Sequence, residues 1–143
     1  MSGVIDSLMT VIAAVEGVAE VLDNAIDQPK SYPAVILEIP AENTLEPEEL
    51  PVVKLELAQK IQIGVGQEVG RNKGDARVAR DTVLALSRKI RSALEQDRTI
   101  SGACLQSMLG HTRLDYAEWH GSLHIVAWLD LAAQIEEEFS CAR

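Results

Sequence analysis

The apolar positions near the start of the chain fall three and four apart. Val4, Ile5, Leu8, Val11, Ile12 and Val15 form one stripe of an amphipathic helix over residues 3–15, with Gly17 as its stop. "VAEVLDNAI" follows and reads as a short strand or as continued helix. After the loop "QPKSYP", the β-branched run "AVILEI" predicts a buried strand. Residues 40–51, "PAENTLEPEELP", hold three prolines and four glutamates without periodicity, which predicts an exposed acidic loop.

The pattern then changes to strict alternation. Val53, Leu55, Leu57, Ile61, Ile63 and Val65 alternate with Lys54, Glu56, Ala58, Lys60, Gln62 and Gly64, and Gln59 alone interrupts the apolar face. Such a period predicts a strand over 52–65 with one face in the core and one in water. At about 3.3 Å per residue it reaches on the order of 45 Å, enough to project beyond a small core. Asp75 is placed to cap a helix running to about Gln96, with Ala79, Val83, Leu86, Ile90, Ala93 and Leu94 on its buried stripe. Arg77, Arg80, Arg88 and Arg91 lie on its polar side. Two strand-like segments, about 103–117 and 123–135, flank the turn "WHGS" and predict an antiparallel hairpin. The last residues, 137–143, are expected to be a mobile tail.

Helix, strand, strand, long strand, long helix, strand, strand is not a βαβ alternation. It predicts an α+β layer: a mostly antiparallel sheet with a long strand and a C-terminal hairpin, packed by the N-terminal helix and one long helix. With 143 residues, 47% of them hydrophobic, a single domain with one sizeable core is expected.

Charge changes the picture. The net charge is −9, unsuited to coating nucleic acid or anionic lipid. It is also unevenly placed. Residues 1–58 carry 11 acidic and 2 basic side chains, whereas residues 59–98 carry 5 acidic and 9 basic. Glu42, Glu46, Glu48 and Glu49 in the acidic loop, and Arg71, Lys73, Arg77 and Arg80 in and after a basic glycine-rich loop at 64–75, are candidate complementary surfaces between subunits. Ordinary solvated faces are the alternative.

Candidate chemistry adds little. "IGVGQEVGRNKGD" joins strand to helix as phosphate-binding turns do, but its spacing is G-x-G-x-x-x-G and no second βα unit follows. Lys73 lacks the Ser or Thr of a P-loop. The glycines are read as loosening the strand end and freeing the loop. His120 and His124, four apart on a strand, would sit roughly 13 Å from each other, too far for one ion. Cys104 and Cys141 form neither a disulfide framework nor a metal spacing. No catalytic grouping, cofactor or metal is expected. The opening segment lacks the basic lead of a signal peptide, and no apolar run approaches a membrane span, so a cytosolic setting is expected.

The order and length of these elements resemble the tail terminator (tail completion, or minor tail) proteins of long-tailed bacteriophages and prophages. The resemblance rests on an N-terminal helix leading to "YPAVILEI", the long alternating strand, the helix "ARDTVLALSRKIRSALEQD", and "TISGACLQSML" with the hairpin into "HIVAWLDLAAQI". The family has no catalytic signature, and no functional residue carries over. The resemblance implies a ring, usually of six subunits, on the head-proximal end of the tail tube. Such a ring ends tube polymerisation, meets the head connector and lets DNA pass without reading its sequence. It implies assembly in the host cytoplasm and residence in the virion tail. A head-closure or neck ring protein, or a small α+β ligand-binding domain, are the alternatives.

Overall fold

The computed structural model describes residues 2–39, 46–47, 54–70 and 75–138, with side chains described over 3–39, 59–70 and 75–135. Within these the fold is α+β. A six-stranded sheet, antiparallel but for one pair, carries two helices on one face.

Helix α1 (Ser2–Ala13) buries Val4, Leu8 and Ile12, one turn apart, as its stripe requires. It ends earlier than Gly17, which instead takes φ 103° in the turn that follows. Strand β1 (Glu20–Leu22) resolves the next segment as strand rather than helix, but a short one. The Asn24 side-chain oxygen accepts from the backbone N–H groups of Ile26 and Asp27, a local turn that stops the extended chain. β2 (Ala34–Glu38) pairs parallel to β1 and antiparallel to β4.

β3 (Glu46–Pro47) is a two-residue strand against Ala58 and Leu57, inside a segment expected to be loop. The rest of the acidic loop, including Glu42, Glu48 and Glu49, lies outside the described residues, as do Arg71 and Lys73.

β4 (Lys54–Glu68) is longer than its pattern suggested. Gly64 and Gly66 do not end it. They continue the ladder, Gly64 opposite Ile36 and Trp128, Gly66 opposite Ala34 and Val126. The glycine-rich connection is correspondingly shorter than 64–75. Helix α2 (Asp75–Gln96) keeps the expected bounds and buries Ala79, Val83, Leu86, Ile90 and Leu94.

β5 (Gln106–Trp119) and β6 (Ser122–Glu138) form the hairpin, turning at His120 and Gly121 with φ of 51° and 80°. β6 takes in Glu137 and Glu138, expected in the tail, because their backbone pairs with Leu55 and Lys54 of β4. Residues 139–143 lie outside the described part.

The main path is β1-β2-β4-β6-β5, so β6 sits between β4 and β5. One face packs Ile61, Ile63, Val65, Ile125, Ala127, Leu129, Leu131 and Ala133 against both helices. Gln59 points into this face with no exposure. Among the described residues the other face carries no helix.

Candidate assembly surface

The helix-free face is built by the even positions of β2, β4 and β6. Near its middle Trp128 lies flat against Gly64. A Cβ at Gly64 would come within 2.7 Å of the indole ring. The glycine is thus a seat for the ring, and packing, not looseness, requires it.

Toward the hairpin turn the same face is closed by aromatic and imidazole rings. His124 is buried, its Nδ1 2.9 Å from the Ser122 carbonyl and its Nε2 2.8 Å from the Tyr32 hydroxyl. The carbonyl can only accept, so Nδ1 carries a proton, and in the neutral ring Nε2 accepts from the Tyr32 hydroxyl. Trp119 meets His124 edge-on at 5.1 Å and donates its indole N–H to the Ala25 carbonyl at 2.7 Å. These contacts bind the connection between β1 and β2 to the end of the hairpin. Burial, with Glu68 and Glu20 nearby, raises the Tyr32 pKa above its ordinary value and keeps the hydroxyl protonated. On the helix face, burial likewise raises the Cys104 thiol and suppresses its reactive thiolate.

Farther along, Lys60, Gln62, Met108, Gly110, Asp130 and Ala132 line a shallow groove of about 480 Å³ on the same face. β5 is the outer strand beside it. A bulge at Gly110 and His111 interrupts its register with β6, and α2 reaches across to that point. There the Arg91 guanidinium donates to the Gly110 carbonyl and, at 3.2 Å, to the Thr112 hydroxyl. Among the described residues β5 has β6 as its one strand partner. Large apolar side chains are concentrated on this hairpin: Met108 at 61% exposure, Tyr116 at 58%, with Leu114 and Leu123 also exposed.

The charged residues expected at an interface are partly placed. Arg77 is exposed on the first turn of α2. Arg80 is half-buried and lies 3.6 Å from the neighbouring Asp81 carboxylate. Glu46 is placed through its backbone, opposite Ala58. From there to the Glu68 end of β4, after which α2 begins, is on the order of 30 Å of strand. Glu46 and the start of α2 are therefore not brought together within one chain.

The glycine-rich connection offers no free helix end to a phosphate. The Asp75 carboxylate closes over Gly70, where a Cβ would collide with it, and sets a negative charge at the start of α2. Among the described residues no group of three or more His, Cys, Asp or Glu side chains could hold a metal ion, and no helix is long and apolar enough to cross a membrane.

No protein-family model matches the chain, and no curated protein matches it. Among solved structures, the chain is similar to one in the virion of a native gene transfer agent particle. The two share 12% identity over 95% of this chain and 93% of that one, with a TM-score of 0.48. So loose an overlap carries no argument about function.

The charge pattern did not point to this face: Arg77 and Arg80 stand on α2, on the opposite side of the sheet. The Trp128 seat and the Tyr32–His124–Trp119 cluster did not announce themselves. Gly64 meets Trp128 only through the register of β4 with β6, and Tyr32 reaches the hairpin residues Trp119 and His124 only when the sheet is formed.

Proposed function

We propose that this chain is a structural protein of a phage-like virion and acts as its tail terminator. In this reading it forms a ring of six copies on the head-proximal end of the tail tube. It stops addition of tube subunits and offers the surface on which the head connector docks. It works without a cofactor, catalyses no reaction, and lets DNA pass through the ring.

The observation that carries the reading is the hairpin. Its outer strand β5, 14 residues long, has a single strand neighbour among the described residues, and exposed Met108, Leu114, Tyr116 and Leu123 accompany it. A lone outer strand with apolar side chains is an aggregation hazard in a monomer and an asset in an assembly. The shared order of elements with the terminator family supports the same reading. Charge segregation between the first 58 residues and the segment that follows suits a ring as well, since ring contacts join unlike surfaces of successive copies.

The test is the mass in solution by light scattering at low and high salt, alone and with purified tail tubes. A species near six subunits, alone or on tubes, is the expected result. A monomer that ignores tubes overturns the reading, and co-sedimentation with portal complexes in place of tubes assigns the chain to the head-closure ring.

A further inference from the structure

The two faces of the molecule differ in charge in a way that concerns the contact between copies. On α2, Arg77 and Arg88 are eleven residues apart and so lie on the same outward line, about 17 Å from each other. Both are exposed, and neither makes an ion pair among the described residues. Asp81 stands between them on the same line, but Arg80, 3.6 Å from its carboxylate, offsets its charge, and Arg91 is engaged with the bulge of β5, so Arg77 and Arg88 set the excess charge of this line.

The opposite, helix-free face carries Glu68, Asp115 and Asp130, all exposed. The ladder sets Glu68 opposite His124 and Asp115 opposite Val126, while Asp130 stands on β6 itself. The three thus span six positions of β6, about 20 Å. Arg113 stands among them, 3.9 Å from Asp130. Glu38 and Lys60 stand on the same face beside Asp130, so four carboxylates against two cations leave two negative charges in excess.

We propose that the outer face of α2 in one copy docks on the helix-free sheet face of the next, Arg77 and Arg88 meeting the Glu68, Asp115 and Asp130 patch. This rests on the ring reading above and names its contact. Lengths match, about 17 Å against about 20 Å, and so does the charge. The arrangement is heterologous: the two surfaces lie on opposite sides of the sheet, so each copy offers both and neither can be satisfied within one chain. For a chain with net charge −9, association needs such a local exception to overall repulsion.

The experiment compares wild type with R77E/R88E and E68K/D115K by sedimentation, alone and on tail tubes. All four positions are solvent-facing, and circular dichroism checks that each variant folds. Each reversal is expected to raise the concentration for half-assembly about tenfold or more. An equimolar mixture of the two variants recovers assembly, because every contact again joins opposite charges. Assembly of either reversal at wild-type concentrations overturns the contact and leaves the ring reading standing. Loss in both without recovery in the mixture overturns it too. Loss of duplex-DNA retention by R77E/R88E with unchanged assembly assigns the arginines to nucleic acid instead. A wild-type chain that stays monomeric with and without tubes overturns contact and ring together.

Discussion

Gly64 and Trp128 show how much a missing side chain can decide. The indole covers the place where a Cβ would stand, so Gly64→Ala forces the ring aside in a face otherwise well packed around Ala34 and Val126. Overpacking of this kind costs about 1–3 kcal/mol. Urea unfolding of G64A should show that loss, with altered near-ultraviolet circular dichroism from the displaced indole. Gln59 is the converse. Its amide is buried in the apolar face, and among the described residues neither its nitrogen nor its oxygen has a hydrogen-bond partner. An unsatisfied buried polar group costs about 1–3 kcal/mol, and leucine of similar volume removes it. Q59L is therefore expected to unfold at higher temperature than wild type, and a lower melting temperature would mean that the amide has a partner. The alternation in the sequence singled out Gln59 as the one break in its face, and that was readable. The role of Gly64 was not, because a glycine followed by further glycines carries the same local signal in a loop and beneath a tryptophan.

Elements were legible where their pattern was long. The stripe and cap of α2 gave both of its ends, and the β4 alternation gave its existence and its inward face. The far end of β4 was missed because glycine has low strand preference, and there the ladder with β2 and β6 overrides it. Glu137 and Glu138 belong to β6 and not to a tail, because a strand needs paired backbone rather than apolar side chains at its margin. β1 came out shorter than its apolar run because Asn24 turns the chain. One contact between elements is open to direct test. Arg91 ties the last part of α2 to the β5 bulge through Gly110 and Thr112. Removing a guanidinium that serves two acceptors costs about 1–3 kcal/mol. R91A should lose that much in urea unfolding, with amide exchange speeding up around Thr112 while β4 keeps its protection.

At the scale of the molecule, the fold class followed from element order, since a chain without alternating strands and helices has few ways to bury one face of a sheet. The proposed assembly surface was only half readable. Segment charge pointed to Arg77 and Arg80, yet their unlike surroundings, one open and one beside Asp81, depend on local side-chain geometry. The carboxylates of the helix-free face come from three strands and gather only when the sheet is formed. The position of β6 has a further consequence, for the living cell. It is the last of the described strands to leave the ribosome, yet it occupies the centre of the sheet, with β4 on one side and β5 on the other. Until it emerges, β4 lacks its longest neighbour and β5 has no strand beside it. The nascent chain therefore cannot complete its core until translation has passed β6, and in the proposed ring this keeps copies still being made from joining those already released.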